Sequence, residues 1–397
     1  MDFELTEEQT ALREVSRGML AVSCPPHLGR SLAAAGKDVD DKLWQRGAEL
    51  GWTGLAVPEE HDGAGQGLVE LCLVAEEIGR AAAPGAFGDS ALIALALARL
   101  GQPELLPALA AGDLKASLAS HGSAAGRYDG GDLVLSGRAT AVQAAAAADW
   151  LLVTAATDQG GRLVLVERAR TAVEPRRTLD ETRRWYDVVL DGVRVRAADV
   201  VAADEAEIQW LADAAAVLSA ADSLGVGERL LEMTVGYVKV REQFGRPLGS
   251  FQSVKHKVAA MLMTLKGARA ATYYAAMALD AGVAGATAAA SAAKAFTAEG
   301  VAALAGEALQ AHGGIGFTWE HDLHLYLRRA KVNEMLYGTP AEHYERLVAL
   351  MGVTPTARPA RSGRAPCGAA ACRSRCAAAR RAARSGPGSC STEAPAW

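Results

Sequence analysis

In VREQFGRPLGSFQSVKHKVA (residues 240–259), Arg241 and Arg246 bracket the Phe244–Gly245 break, and Ser250 precedes a new helical run. A loop feeding a helix start presents backbone N–H groups and the positive end of the helix dipole to an anion. Two guanidinium forks beside it suit a pyrophosphate. An ordinary corner between two helices, its arginines solvated, reads equally well from these residues alone.

A second stretch, LQAHGGIGFTWEHDLHLYLRRA (309–330), combines Gln310 with Gly313, Gly314 and Gly316. Glycines let a backbone approach a ligand closely, and the glutamine offers an amide. The other reading is a helix C-cap followed by a glycine turn. His321 and His324, three apart beside Glu320 and Asp322, have ligand spacing for a metal, but a capped, solvated helix start explains them as well. No metal is expected.

The elements that must position these residues fall into three stretches. Residues 1–112 read as helical: Thr6 and Gln9 form a capping box, and DDKLWQRGAELG and LVELCLVAEEIGRAAA carry helix signals closed by glycine or proline. Residues 113–202 hold short runs such as GDLVLSG, DWLLVTAA, GRLVLVE and RWYDVVLDGVRV. These predict a small β-barrel or sandwich, with GRATAVQAAAAADW weak as strand. Residues 203–351 return to long alanine-rich helices of the kind that form a bundle core. The expected class is therefore mainly α with a central β-domain.

Composition narrows the function. The chain has 397 residues, 50% of them hydrophobic and 5% aromatic, enough for two or three domains packed through small side chains. No apolar run reads as a membrane span, and MDFELTEEQTALREV lacks the basic start of a secretory signal, so a cytoplasmic location is expected. The tail 352–397 has eight arginines and one glutamate, and without it the net charge of −5 becomes −12. A body that acidic excludes a nucleic-acid surface. The tail has almost no large apolar residues and is expected to be disordered. Its four cysteines, Cys367, Cys372, Cys376 and Cys390, lack paired zinc spacing, whereas Cys24 and Cys72 read as small core residues.

DFELTEEQ, LGWTGLAVPEEHDGAG, VREQFGRPLGSFQSVKHKVAAM and QAHGGIGFTWEHDLHLYLRRAK stand in one order along residues 1–351. In that order they resemble the acyl-CoA dehydrogenase family. The resemblance implies a helical N-terminal domain, a middle β-domain and a C-terminal four-helix bundle. It also implies FAD bound between subunits of a tetramer, an acyl-CoA substrate and an electron-transfer flavoprotein as acceptor. By that likeness Arg241, Phe244, Gly245 and Gln252 contact the FAD diphosphate and adenine side. Gln310, Gly313, Gly314 and Gly316 come from the neighbouring subunit, and Thr339 lies near the flavin.

The family reaction is α,β-dehydrogenation: a carboxylate takes the α-proton while hydride leaves the β-carbon for the flavin. The α-proton is weakly acidic, so a base must stand within hydrogen-bond reach. The resemblance places that base before the Gly-Thr of the last loop, where this chain has Tyr337 ahead of Gly338. A phenol with a pKa near 10 is a poor base at neutral pH. The family's other base position falls at about Ala215, and Asp213 points about 200° away from it on the helix. Glu334 reaches the site only if its helix ends differently. LASHGSAAG and RATAVQAAAAADW stand where the family has a flavin-facing hydroxyl and tryptophan.

Three readings follow. The chain is one subunit of a heteromer whose partner brings the base, a self-sufficient homo-oligomeric dehydrogenase or oxidase with an unconventional base, or a non-catalytic paralogue. The retained Arg241/Gln252 and Gln310/Gly313 sets favour the first over the last.

Overall fold

The computed structural model describes residues 4–201 and 204–353. The expectation of a disordered tail falls on residues outside these, from 354 onward.

Six helices open the chain: α1 (Glu7–Ser23), α2 (His27–Ala35), α3 (Asp41–Glu49), α4 (Leu68–Arg80), α5 (Phe87–Arg99) and α6 (Leu106–Ala110). The capping box of α1 is complete: the Gln9 N–H donates to Thr6 Oγ1 at 3.2 Å and the Thr6 N–H to Gln9 Oε1 at 3.0 Å. Each bond satisfies a backbone donor that the helix start leaves without an intrahelical partner. Asp40 does the same for α3 through the Leu43 N–H, at 2.8 Å.

Strands follow: β1 (Ala116–Ala119), β2 (Ala125–Asp129), β3 (Asp132–Gln143), β4 (Trp150–Thr157), β5 (Gly160–Glu167), β6 (Ala172–Arg176), β7 (Trp185–Val195) and β8 (Val200–Val201). They form one eight-stranded sheet in the order β6-β7-β3-β2-β4-β5-β8, with β1 parallel to β4. The alanine-rich segment is strand as far as Gln143, because pairing with β7 and burial of Ala139 and Val142 override weak propensity. Register breaks between Ala139 and Val142, where Ala141 takes a positive φ of 54°.

The C-terminal helices are α7 (Glu205–Val240), α8 (Gln252–Asp280), α9 (Ala286–His312), α10 (Leu323–Met335) and α11 (Pro340–Leu350). Helix α7 has 36 residues and buries side chains on every face through its middle, so it is the axis of the core. Small residues bring the backbones close: a Cβ on Gly225 would stand 1.8 Å from the Glu76 carbonyl oxygen, and one on Gly79 would be 2.0 Å from that of Asp222. Cys24 and Cys72 are buried. One large apolar cluster joins the N-terminal helices to the bundle, and a second fills the sheet.

Candidate active site

Helix α10 ends at Met335, and the chain turns through Tyr337 at φ 54° and Gly338 at φ 102°. This turn aims the Tyr337 phenol inward. The His343 Nε2 stands 2.9 Å from the Tyr337 carbonyl, and Thr339 starts α11 with a capping box to Glu342. The phenol hydroxyl is buried and donates to Asp89 Oδ1 at 3.3 Å. The Leu118 N–H of β1 donates to the other oxygen of Asp89 at 3.0 Å. Burial pushes the Tyr337 phenol well above its usual range, and the Asp89 carboxylate adds to that. Burial also lifts Asp89 to about 6, opposed by its hydrogen bonds to Leu118 and Tyr337 and by the Arg183 charge. At neutral pH the pair is a neutral phenol on a carboxylate.

Asp89 and Tyr337 border a cavity of about 60 Å³, lined also by Phe87, Leu92, Gln143, Ala215 and Leu218. Ala215, expected at about the family's other base position, lines this pocket. Asp213 faces away: its Oδ1 accepts from Arg346 at 2.6 Å and from Gln209 at 3.2 Å. Glu334 pairs with Lys331 at 3.0 Å on the outer side of α10. Neither carboxylate lines the cavity.

Buried charges brace this pocket. Arg329 donates to both oxygens of Asp222, to the Ala83 carbonyl at 2.9 Å and to Thr182 at 3.1 Å. Arg183 bonds Asp180 at 2.7 Å and Asn333 at 2.6 Å, and Asn333 donates to Asp222 at 2.6 Å. Burial alone would raise Asp222, but the Arg329 and Arg183 charges hold it below the usual carboxylate range. Beneath them Lys294 donates to the Asn333 carbonyl at 2.8 Å, and burial drops its pKa to about 7.

The expected cofactor residues sit elsewhere. Arg241 is the C-cap of α7, and Glu242–Gln243 pairs with Arg246–Pro247 in a two-residue hairpin whose tip, Phe244 and Gly245, has positive φ at both positions. Phe244 is 91% exposed, its ring edge-on to Phe251, and Arg246 lies over Phe251 at 4.1 Å. Gln252 begins α8, whose N-cap Phe251 supplies no side-chain bond, so the first N–H groups of that helix are open to an anion. Gln310 is exposed in the last turn of α9, Gly313 takes φ 62°, and a Cβ at Gly313 or Gly314 would meet no atom within 4 Å. Gly316 is tighter, 3.0 Å from Leu309.

Tyr237 of α7 stacks on His312 of α9 at 4.5 Å, which puts the arginine hairpin and the glycine turn at the same end of the bundle. Tyr337 and Thr339 lie at the far end of α10, whose 13 residues span roughly 20 Å. His321 and His324 serve the start of α10: the Leu323 N–H donates to His321, and His324 Nδ1 stands 2.8 Å from the His321 carbonyl. Among the described residues no cluster of His, Cys, Asp or Glu is arranged to hold a metal.

Two family profiles match this chain: the acyl-CoA dehydrogenase N-terminal domain over residues 6–113 and the acyl-CoA dehydrogenase C-terminal domain over residues 207–349. The chain belongs to the acyl-CoA dehydrogenase family. It is 32% identical over 346 residues to acyl-CoA dehydrogenase IpdE2 of Mycolicibacterium smegmatis, covering 87% of this chain and 99% of that one. The Mycobacterium tuberculosis protein of the same name is 33% identical over 352 residues, 88% of this chain and 99% of that one. The ChsE4–ChsE5 complex of M. tuberculosis superposes with a TM-score of 0.84 at 30% identity, covering 89% of this chain and 100% of that one. Butyryl-CoA dehydrogenase of Megasphaera elsdenii shares the fold, with a TM-score of 0.80 at 24% identity and 88% and 100% coverage.

The family consists of oxidoreductases acting on CH–CH bonds, and its cofactor is FAD. The exposed hairpin, the uncapped start of α8 and the open face of the glycine turn fit an extended dinucleotide lying across them. An open cleft of about 630 Å³ between His121, Thr339, Gln209 and the Tyr337–Gly338 turn is of cofactor size. No described helix is long and apolar enough to cross a membrane.

Proposed function

We propose that this chain is one subunit of a heteromeric acyl-CoA dehydrogenase that carries out FAD-dependent α,β-dehydrogenation of an acyl-CoA thioester, with the base supplied by its partner. The observation that carries this is the loop position before Gly338. Its side chain is a half-buried neutral phenol already bonded to Asp89, while Asp213 and Glu334 are committed to Arg346 and Lys331. A phenol that keeps its proton cannot accept the α-proton, and the Asp89 carboxylate beside it already accepts from the Leu118 N–H and from that phenol.

FAD supplies the hydride acceptor. This chain's share is binding: Arg241 and the α8 start neutralise the diphosphate, Phe244 stacks on a planar group, and the glycine turn lets it approach the backbone. Residues of the loop at Thr339 stand about one helix length away, and a second chain that brings its own hairpin to them fits the cofactor between subunits that the family likeness implies. Homology to a chain of the ChsE4–ChsE5 complex supports an unlike partner in a tetramer. Electron-transfer flavoprotein as acceptor and a cytoplasmic location complete the reading.

The test is anaerobic addition of an acyl-CoA panel to the purified chain, and to the chain co-expressed with a related subunit that has the glutamate. Bleaching of the flavin absorbance band is expected only in the second preparation. Bleaching of the chain alone overturns the heteromer reading.

A further inference from the structure

We propose that the cleft between α1 and α8 binds a small organic phosphate, a doubly charged monoester with an apolar body. The site is separate from the acyl-CoA and flavin machinery proposed above and does not rest on it.

The sequence builds it from two helix faces that lack counterions. On α1, Arg13 has Gln9, Thr10, Ser16 and Arg17 three and four positions away. On α8, Lys266 has Leu262, Met263, Arg269 and Ala270. None of these is a carboxylate, so neither cation gains an ion pair along its own helix. Packing brings the two faces together around an open cleft of about 520 Å³, which Arg17 and Arg269 also line. That volume is within the range of small-ligand pockets, roughly 300–1,000 Å³.

The carboxylates at the cleft are already engaged. Glu228 bonds Arg269. Behind it, the buried Glu76 accepts from Arg269 at 3.0 and 2.5 Å and from the Tyr273 hydroxyl at 2.7 Å. The buried Glu77 accepts from Arg17 at 2.9 and 2.6 Å. Arg13 and Lys266 are left with no hydrogen-bond or ion-pair partner among the described residues, although Arg13 is half-buried. Two unpaired cations facing one cleft focus a positive field on a body whose net charge is −12. One doubly charged head group matches them. Leu5 and Met277 extend the wall beyond the charges and suit an apolar body.

Helix α4 divides this cleft from the Tyr337 cavity. Ala75 and Ile78 line that cavity, whereas Glu76 and Glu77 turn the other way to hold Arg269 and Arg17. Lys266 stands 14 residues along α8 from Gln252, roughly 20 Å from the helix start assigned to the diphosphate.

Calorimetry on the purified chain at pH 8, with phenyl phosphate, inorganic phosphate and benzoate, reads the site. A phosphate monoester carries both charges there, its second pKa being about 6. Phenyl phosphate should bind at least tenfold more tightly than inorganic phosphate, which lacks the body, or benzoate, which lacks the second charge. Arg13→Gln and Lys266→Gln should each weaken it about tenfold, and the double variant should not bind it. Neither side chain has a partner to strand, so both variants should keep the Tm of wild type. Phenyl phosphate should raise the Tm of wild type and not that of the double variant.

Binding unchanged in the double variant would place the anion elsewhere, and no binding to wild type at millimolar concentration would leave only a solvated groove. Either result overturns the site. A Tm lowered by either substitution would reveal a protein partner for that cation and overturn it as well. Equal affinity for all three anions would overturn the monoester assignment.

Discussion

Arg346 of α11 donates to the fully buried Asp213 of α7 at 2.6 Å, and this bond decides what Asp213 is for. Asp213 holds α11, and with it the Tyr337–Thr339 turn, against the longest helix of the bundle. Removing one partner of a buried pair strands the other's charge and costs about 3–5 kcal/mol. Because Arg346 is partly exposed, Asp213→Ala should fall at the lower end, and Asp213→Leu with Arg346→Met should recover most of the loss. Urea denaturation of the single and double variants measures both. A stability unchanged in Asp213→Ala contradicts the assignment.

Asp89 gives a pH signature. Its carboxyl is lifted from 3.8 to about 6, so the folded protein holds this proton more tightly than the unfolded chain. The contribution is fully present below pH 3.8 and is lost as pH rises through about 6. Two pKa units correspond to roughly 3 kcal/mol. Asp89→Asn should therefore match wild type near pH 4 and exceed it in Tm above pH 6.5, by an amount that levels off. A constant offset across pH would show that Asp89 is not lifted.

Lys294 has the opposite dependence. Burial lowers its pKa from 10.5 to about 7, so the folded protein binds fewer protons there than the unfolded chain. Its contribution is fully present above pH 10.5 and is lost as pH falls toward 7. The stability of wild type relative to Lys294→Met should rise between pH 7 and pH 10, which parallel guanidinium titrations would read. A flat difference would place the ammonium in water.

Flavin retention tests the hairpin. Arg241→Ala, and separately Gly314→Val, should each lower the FAD-to-protein ratio of the assembled protein by tenfold or more after gel filtration, with the Tm of the apoprotein unmoved. A fully yellow Arg241→Ala protein would remove Arg241 from the diphosphate site.

Much of this was legible in the residues, for identifiable reasons. The capping box at Thr6, the long apolar α7 and the 200° separation of Asp213 from Ala215 are local consequences of helix geometry. Thr339–Pro340–Ala341–Glu342 has the same box pattern and was open to the same reading. Asp89 carried no signal. It sits in an apolar helical run, and its partner Tyr337 is 248 residues away, a pairing that only the packed helices create. The Arg329–Asp222 and Arg183–Asn333 bonds are hidden in the same way, since each joins residues more than 100 positions apart.

That group of buried charges touches every part of the described chain: the carbonyl of Ala83 after α4, Asp180 and Thr182 before β7, Asp222 in α7, Asn333 in α10. The chain is therefore poorly suited to piecemeal inheritance. A middle region grafted from a relative would arrive without the counterions that Arg329 and Asp222 expect, so these positions must be exchanged as a set or not at all.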